Sequence, residues 1–487
     1  MKINTLKNRI IFTLVAFIAI SCSDDFVNVT SENESADNYF NSEEQYQQAL
    51  IGAYDLLQAT YLNVMIGEIA SDNTLAGGES ANDVIGFQQI DKMTHNPVNQ
   101  QLRDVWNWMF AGVNRANYIL QYQDKTDFDG RNEVIAQARF LRAYYYFELV
   151  KFFGAVPLVV DKPLEFGDQF NVPRTPVTEV YDQIEADLIF AAENLPATQA
   201  QTGRITSGAA NALLGKAYLY QGDFNEAAAA LEKVISGPYM LVEDYASIFE
   251  PEGENGPGSV FEVQYTDKEG AGFGCLQCSE GNVAVGFNGI RNFNGPIFES
   301  GFSFNLPVQE TVDAFEAGDI RKDVAILDIE QFAAQTGATY VEGYEHTGYY
   351  NRKYIARKGD LNTGDANLTN PNNYRAIRFA DVLLMAAEAN FKKSPPNEAK
   401  AREYLNRVRV RAQLAPTALT GDELLKQIYK DRRSELVGEG HRFFDLVRTK
   451  RAAGVIDGFV VGKHELFPIP AIEIQLAGNN WEQNPGY

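Results

Sequence analysis

Two stretches of the chain place flat aromatic side chains beside hydrogen-bonding groups. The first runs from Glu68 through Asp72 and Asn73 to Phe87, and the second is residues 287–294, FNGIRNFN. Sugars present apolar C–H faces ringed by hydroxyls, so a site for them needs rings to stack on and polar groups to bind the hydroxyls. We therefore predict ligand contacts from eight residues: Asn288, Asn292, Phe293, Arg291, Phe287, Asp72, Asn73 and Phe87.

The phenylalanines and the Asp72–Asn73 pair also have a purely structural interpretation. Phenylalanines in a loop-rich region often fill a small local core, because their rings are among the most readily buried side chains. Asp72 and Asn73 together are typical of a turn, because their side chains bond to nearby backbone groups. The composition of the two stretches leaves both interpretations open.

Sequence motifs that indicate an enzyme do not occur in this chain. The G-x-S-x-G, H-E-x-x-H, Walker and G-x-G-x-x-G patterns are all missing from it. With 65 acidic residues, paired carboxylates for a glycosidase are always available, so their presence decides nothing. We therefore expect no catalytic residues.

Metal-binding patterns are equally weak. The four histidines are scattered singly along the chain, at His95, His346, His441 and His464. This spacing argues against a zinc site. Asp127–Gly130 resembles part of a calcium loop, but Lys125 stands at the first ligand position and Ala136 at that of the closing glutamate. We expect a turn there, no metal site and no cofactor, and leave a structural calcium elsewhere open.

The overall charge excludes one class of partner. The formal net charge is −23 at pH 7. A surface this acidic repels the phosphates of nucleic acid, so we expect no nucleic-acid binding. The hydrophobic content of 45% is ample for a packed core.

The first 22 residues have the pattern of a lipoprotein signal. Lys2, Lys7 and Arg9 precede an apolar run at 10–20, and small residues lead to Cys22. The run is too short to cross a bilayer as a helix. Acyl chains on Cys22 would anchor the mature chain in membrane lipid, at roughly 0.8 kcal/mol per buried CH₂. The alternative is an ordinary cleaved signal with an incidental cysteine.

The other two cysteines, Cys275 and Cys278, form a C-x-x-C motif between glycines. Outside the cytoplasm we expect them to form a disulfide. A disulfide that closes so small a ring restrains one loop locally and adds little to the stability of the whole fold. A thioredoxin-like motif would need a strand before it and a helix after it, which the flanking glycines disfavour.

Helical hairpins are indicated on both sides of the middle of the chain. Leu213–Tyr218 is followed by the turn Gly222–Asn225 and the alanine-rich run Glu226–Leu231, which matches the tetratricopeptide pattern. Residues 384–402 repeat it. Because the copies are far apart, a lobe must be inserted between them, and helix pairs from both sides must stack to bury a continuous core.

We therefore predict a mainly α fold, a tetratricopeptide-like helical-hairpin scaffold with an inserted loop-rich, partly β ligand-binding lobe. Residues 60–100 lose the helical period, and we expect an irregular and functional stretch there. The predicted parts are a signal peptide at 1–21, a lipidated tether at 22–40, and a single domain at 41–487 with helices in 41–240 and 375–450, an irregular lobe at about 240–375 and an extended C-terminal segment at 460–487.

Several motifs together resemble the SusD/RagB family of nutrient-binding surface lipoproteins. They are Ala138–Ala143 (ARFLRA), 373–389 (NYRAIRFADVLLMAAEA), 431–448 (DRRSELVGEGHRFFDLVR), and 466–470 (LFPIP) with 483–487 (QNPGY). Their order and spacing fit the family over essentially the whole mature chain.

The resemblance implies a fold, a ligand class and a partner. The fold has four tetratricopeptide-like units and a lobe that carries the ligand site. The partner is a SusC-like TonB-dependent outer-membrane transporter, over which the lipoprotein sits as a hinged lid. Ser23–Asp25 resembles the acidic tag that directs such lipoproteins to the cell surface. Substrates in the family are usually oligosaccharides, so peptide capture and, third, surface glycoside hydrolysis are the alternatives.

The family's ligand sites are built from regions equivalent to the two aromatic stretches, while the contact residues vary with the substrate. The 431–448 motif has a different character. Arg432, Glu435 and Glu439 fall at i, i+3 and i+7, on one helix face. We predict that they form a paired structural network packed by Phe443 and Phe444 and take no part in catalysis.

Overall fold

The computed structural model describes residues 39–163, 165, 167–361, 363–365 and 367–487. The predicted signal peptide, Cys22 and almost all of the predicted tether lie outside the described residues. Within the described chain, helices dominate, and the strands are short.

The N-terminal half supplies most of the long helices. In chain order, its elements are α1 (Glu43–Asp55), α2 (Tyr61–Ile69), β1 (Thr74–Gly77), α3 (Ile85–Asp91), α4 (Gln100–Gln121), α5 (Arg131–Phe153), β2 (Val156–Pro157), β3 (Arg174–Thr175), α6 (Val177–Asn194), α7 (Ser207–Gln221) and α8 (Phe224–Ile235).

The inserted lobe follows, built from short strands and single-turn to two-turn helices. Its elements are β4 (Ser259–Val263), α9 (Val283–Asn288), β5 (Ile290–Arg291), β6 (Ser300–Gly301), β7 (Phe304–Pro307), α10 (Gln309–Asp313), α11 (Arg321–Ala325), β8 (Ile326–Asp328), α12 (Ile329–Thr336) and β9 (Tyr349–Asn351).

The chain then returns to the helical scaffold. The remaining elements are β10 (Tyr374–Arg378), α13 (Phe379–Lys392), α14 (Glu398–Arg411), α15 (Gly421–Leu436), α16 (Arg442–Arg448) and α17 (Ala471–Leu476). The mainly α prediction is therefore correct.

The hairpins stack in a continuous row. Helices α4 to α8 each pack on the next, and α8 then packs on α13, which pairs with α14. The lobe thus interrupts the sequence of the stack without breaking it in space. Gly215 shows why the pattern needs small residues, because a Cβ there would lie 2.6 Å from Cγ of Leu231 in the paired helix.

Local sequence signals set the helix ends. The Ser42 hydroxyl accepts a hydrogen bond from the Gln45 backbone N–H at the start of α1, and the Gln45 side chain accepts one from the Asn41 N–H in return. At the other end of a hairpin helix, Gly222 closes α7 with a positive φ of 89°. That left-handed geometry costs glycine little and stops the helix before the turn into α8.

The expectation of an irregular stretch at 60–100 is wrong for much of its length. It contains α2, β1 and α3. All residues of α2 except Val64 are buried. A helix enclosed by protein on every side has apolar residues all round, so it lacks the amphipathic period that marks a surface helix.

Five two-stranded sheets hold the described lobe and its neighbours together. Strand β1 pairs antiparallel with β7, β4 with β10, β2 with β3 and β8 with β9, while β5 and β6 are parallel. Each pair is far shorter than a sheet that could stand alone. The lobe therefore depends on the scaffold and on its own small clusters of buried rings.

Buried ion pairs join the lobe to the last scaffold helices. The Glu435 carboxylate, fully buried, accepts hydrogen bonds from Arg378 at 2.8 Å, Arg411 at 2.6 Å and Arg321 at 3.2 Å. Burial alone would raise the pKa of Glu435, but the three guanidinium groups outweigh it and hold the pKa far below its usual range. The predicted structural network is thus present.

Its partners differ from the expected ones. Arg432 bonds to Asp381 and to Asp445, the latter at 2.6 Å. Helix α15 ends at Leu436, so Glu439 lies in the turn beyond it and not on the same helix face. The network is therefore not formed by residues at i and i+7 of one helix. It is formed by contacts between residues that are far apart in the sequence.

The C-terminal segment is extended only in part. Phe467 is buried, and its N–H donates to the carbonyl oxygen of Phe152 at 2.8 Å, so this stretch lies on the scaffold as predicted. After Pro470, however, α17 interrupts the extended path. Pro470 precedes the first helical residue, where its missing N–H costs no helical hydrogen bond.

Candidate functional site

The two aromatic stretches singled out from the sequence lie side by side. Strand β1 pairs with β7 so that Thr74 faces Pro307 and Gly77 faces Phe304. Beyond the strand, the Gly78 N–H donates to the carbonyl oxygen of Ser303 at 2.7 Å. This pairing brings the loop after β1 against the segment that contains Arg291.

A third segment, which the sequence did not single out, completes the arrangement. The Val341 N–H donates to the Arg291 carbonyl oxygen at 3.0 Å, and the Tyr344 N–H donates to the Gly78 carbonyl oxygen at 2.8 Å. We call residues 78–92, 291–294 and 339–346 together the three-segment surface. Its backbone is fixed by hydrogen bonds among all three segments.

Arg291 is the charged centre of this surface. Its Nη2 donates to the Phe302 carbonyl oxygen at 3.0 Å, and its guanidinium lies 3.6 Å from Asp83 and 3.7 Å from Glu79. The Arg291 side chain is 18% exposed, whereas that of Glu79 is 75% exposed. The carboxylates therefore present open acceptor oxygens beside a guanidinium that is held in place.

A second polar group stands at the other end of the surface. Lys92 Nζ lies 3.2 Å from the Tyr344 hydroxyl and 3.3 Å from Glu345 Oε1. Asp91, next to it, accepts a hydrogen bond from the Ala76 N–H at 3.1 Å. Burial, with the charge of Glu345, raises the pKa of Asp91 to about 7.

An exposed aromatic ring is connected to Arg291 through Phe302. The Phe273 side chain is 58% exposed, and its ring centroid lies 5.9 Å from that of Phe302, edge to face. The ring of Phe302 in turn packs on that of Phe287, with the centroids 5.7 Å apart, and the Phe302 carbonyl oxygen accepts the hydrogen bond from Arg291. The exposed ring of Phe273 is thus linked to the guanidinium of Arg291 by two successive contacts, both made by Phe302.

Two neighbours hold the loop that carries Phe273. A disulfide joins Cys275 to Cys278, and the Phe273 N–H donates to Asp365 Oδ2 at 3.0 Å. The ring of Phe273 is therefore presented from a tethered loop.

The structure corrects the expectation that Phe87, Phe287 and Phe293 contact a ligand. Their exposed fractions are 2%, 7% and 8%. The rings of Phe87 and Phe287 pack on each other at 6.1 Å in the main core. Phe293 packs on Phe298 in a separate small cluster of the lobe, so the structural interpretation is correct for all three rings.

Two of the polar candidates, Asn288 and Asn73, are also structural. Asn288 is 3% exposed and accepts a hydrogen bond from the Asn305 amide at 3.0 Å. Asn73 is fully buried, where its amide donates to Glu68 at 3.2 Å and its oxygen accepts from Arg433 at 2.8 Å. These buried side chains bond to other side chains of the protein and are not exposed to a ligand.

Asp72 is bound within the protein as well. Its two carboxylate oxygens accept hydrogen bonds from Arg442 at 2.7 and 2.8 Å. Burial opposes ionisation, but the hydrogen bonds and charge of Arg442 prevail and lower the pKa of Asp72. Of the eight predicted contact residues, Asn292 is exposed and Arg291 is partly exposed, and both lie on the three-segment surface.

The described residues contain neither a metal-binding cluster nor a membrane-spanning helix. Nowhere in that part of the chain do three or more His, Cys, Asp or Glu side chains gather closely enough to hold a metal ion. Its helices include none with the length and apolarity needed to cross a bilayer.

Sequence and structure comparisons identify the family. The SusD family model matches residues 327–462, and a second model, described as starch-binding associating with outer membrane, matches residues 25–219. A solved laminarin-binding SusD-like protein is 36% identical, covers 92% of this chain and 100% of its own length, and has a TM-score of 0.85. The chain belongs to the SusD family.

Two further relatives match nearly the whole chain. Surface glycan-binding protein A from Bacteroides thetaiotaomicron, solved in complex with laminarihexaose, is 26% identical, covers 91% of this chain and 99% of its own, and has a TM-score of 0.79. A SusD-like protein from Formosa agariphila is 26% identical over 99% of this chain and all of its own. The names of the two solved relatives describe glycan-binding proteins and not enzymes.

Proposed function

We propose that this SusD-family protein binds neutral oligosaccharides on the three-segment surface, with Phe273 as its stacking platform. The observation that carries the proposal is an exposed ring that is connected through Phe302 to Arg291 and its two carboxylate partners. A sugar ring can lay its C–H face on Phe273 while its hydroxyls bond to the charged groups. This is the combination of apolar and polar contacts that sugar binding requires.

The similarity to known glycan binders supports the same conclusion. One solved relative is described as laminarin-binding, and another was solved with laminarihexaose. Both cover over nine-tenths of this chain, so the similarity includes the lobe as well as the helical scaffold. We therefore take a laminarin-type glucan as the first substrate class to test.

The test is titration calorimetry with laminarihexaose and maltohexaose on the mature protein, with Phe273→Ala as the site variant. Loss of a stacked ring is worth about 1.5–3 kcal/mol, so the Kd should rise at least about tenfold. Phe170→Ala is the matched control, because Phe170 is 55% exposed in a different part of the chain. Equal binding by wild type and Phe273→Ala would contradict the proposed site.

Peptide capture and hydrolysis are distinguished by the same protein sample. The acidic chain would favour basic peptides, so a basic peptide library that binds while every oligosaccharide fails would overturn glycan binding. Steady release of reducing ends from laminarin, lost on mutation of a carboxylate pair, would instead reveal a hydrolase. We expect neither outcome.

We further infer that the chain delivers its ligand to a SusC-like TonB-dependent transporter as a lipid-anchored lid on the cell surface. The family resemblance and the description of the matching model as associating with outer membrane support this role. Affinity purification of the full chain from detergent-solubilised outer membranes of its native host tests it. A stoichiometric transporter of that class should be retained, and its consistent absence would contradict the lid role.

A further inference from the structure

A basic cavity lies on the helical scaffold, away from the three-segment surface. It has a volume of about 530 Å³ and lies along α15, between the turn after α10 and the segment that follows α16. Its cationic lining residues are Lys426, Lys430, Arg433, Arg442 and Arg451, against a single acidic lining residue, Asp422. This excess of positive charge is unusual for a chain of net charge −23.

The two lysines have partners at the rim. Lys426 lies 2.6 Å from Glu423 and is 71% exposed, and Lys430 lies 3.6 Å from Glu316 and is 46% exposed. Exposed pairs of this kind are weak and are screened by salt. Because each of these lysines has a nearby glutamate, the two pairs add little net charge to the cavity.

The three arginines differ from the lysines, because they are more buried and two of them share one carboxylate. Nε and Nη2 of Arg442 donate hydrogen bonds to the Asp72 carboxylate, and the guanidinium of Arg433 lies 3.4 Å from the same carboxylate. Among the described residues, Arg451 has no carboxylate within 4.0 Å, since its Nε bonds to the hydroxyl of Thr449 and its guanidinium stacks on the ring of Tyr429 at 4.0 Å. Within the described chain, two of the three guanidinium groups thus share the carboxylate of Asp72, and the third has no carboxylate partner.

The resulting repulsion is visible in the electrostatics. Burial and the neighbouring charge of Arg442 lower the pKa of Arg433 and of Arg451. Arginine stays protonated at any physiological pH, so the cluster cannot relieve the repulsion by losing a proton. It can relieve it by binding an anion.

We propose that this cavity binds an oxyanion, a sulfate, phosphate or carboxylate group, between Arg442 and Arg451. Guanidinium groups present paired N–H donors that match the oxygens of such groups. Nη1 of Arg442 makes no hydrogen bond within the described part of the chain, so a donor remains for the ligand. The anion can be free or carried by a sugar as a sulfate ester or uronate.

Titration calorimetry on the mature protein at constant ionic strength tests the proposal, with sodium sulfate, sodium phosphate, glucose 6-sulfate and glucuronate as probes. At least one probe should bind saturably, and Arg451→Met should raise its Kd by about tenfold or more, the equivalent of ~1.4 kcal/mol. Tighter binding of the sugar-borne groups identifies a charged glycan as the carrier. Equal or weaker binding identifies the free anion.

Arg139→Met is the matched control. Arg139 is half-buried and stacks on the ring of Phe190 at 4.1 Å, and the structure records no ion pair for it in the described chain. It should bind the probes as wild type does. Failure of all four probes to bind wild type saturably would overturn the proposal, as would unchanged binding in Arg451→Met.

A second variant has the opposite expected sign and guards against a folding defect. Asp72→Asn removes the carboxylate that competes for Arg442, so it should lower the Kd of the oxyanion. Weaker binding in this variant, with its helical circular dichroism intact, would count against the cavity. The binding of neutral laminarihexaose should stay the same in Arg451→Met, which keeps this test separate from that of the proposed glycan site.

Discussion

The carboxylate of Asp72 and the guanidinium of Arg442 form a two-point ion pair, with Nε and Nη2 at 2.7 and 2.8 Å from its two oxygens. The two residues are 370 positions apart in the chain. This pair ties the turn before β1 to α16. It explains why an aspartate that looks like a ligand contact in the sequence is a structural residue.

Asp72→Asn should lower the free energy of unfolding at pH 7 by about 2 kcal/mol, because it leaves a partly buried guanidinium without its charge partner. Since the pKa of Asp72 is lowered on folding, its contribution is present above the pKa of the unfolded carboxyl. It is lost as the pH falls through the folded-state value.

Urea denaturation of wild type and Asp72→Asn at pH 7 and at pH 3 measures this effect. The difference between the two proteins should shrink at the lower pH. Asp127→Asn is the control, because Asp127 is 92% exposed and its pair with Arg131 spans 3.8 Å. A constant difference at both pH values would contradict the assigned ion pair.

Asp91→Asn should show the opposite pH behaviour. Burial raises the pKa of Asp91 to about 7, so between about pH 4 and 7 the folded state binds more protons than the unfolded state. The free energy of unfolding of wild type should therefore fall as the pH rises, by as much as about 4 kcal/mol. An asparagine cannot ionise and still accepts the hydrogen bond from the Ala76 N–H.

The measurement is urea denaturation at pH 5 and pH 8. Asp91→Asn should match or exceed wild type at pH 8 and lose the slope between the two values. Asp323→Asn serves as the exposed control, since the Asp323 side chain is 86% exposed. If Asp91→Asn retains the full slope, another group causes the pH dependence.

The scaffold could be predicted from the sequence because its signals are local. Gly215 and the alanines of 226–231 lie within one hairpin, so the pattern of small residues reports the packing of adjacent helices directly. The same reasoning failed for α2, whose enclosure on all sides erases the amphipathic period. Burial of a helix on all sides depends on the rest of the fold, so the helix's own sequence does not show it.

The candidate site was only partly predictable, for a similar reason. The sequence singled out the stretches that contain β1 and Arg291 but not β7, and it could not tell which phenylalanine is exposed. Phe287 and Phe273 have similar glycine-rich surroundings, yet one is 7% and the other 58% exposed. The third segment joins the surface through backbone bonds such as Tyr344 to Gly78, which are independent of side-chain type.

Cys22→Ala tests the predicted anchor. Without the thiol, no acyl chain can be attached, and the membrane affinity from buried CH₂ groups disappears. The variant should move from the outer-membrane fraction to the soluble fraction in the native host and should abolish growth on the cognate polymer. A variant that still fractionates with the outer membrane would contradict the anchor, while Cys275→Ser should leave fractionation unchanged.

The double variant Cys275→Ser/Cys278→Ser should affect ligand binding more than folding. The disulfide closes a ring of four residues, so its removal should cost about 2 kcal/mol or less. The loop that presents Phe273 then loses one tether, and the Kd for laminarihexaose should rise. Treatment of the wild type with reductant should raise this Kd in the same way, and reductant should not change the Kd of the double variant. Unchanged affinity with a large loss of stability would contradict this role.

Asn292→Gly offers the cleanest test of a predicted contact residue. Asn292 is exposed and has a φ of 47°, a left-handed conformation that glycine adopts readily, so the backbone should survive the change. Loss of one amide hydrogen bond of about 1 kcal/mol should raise the Kd for laminarihexaose roughly fivefold. The melting temperature should hardly move. Asn479→Gly, at an exposed asparagine with a φ of 59°, is the matched control and should bind as wild type does. If Asn292→Gly and Asn479→Gly have the same affinity, Asn292 does not contact the sugar, and the hydroxyls are bound by Arg291 and its carboxylate partners alone.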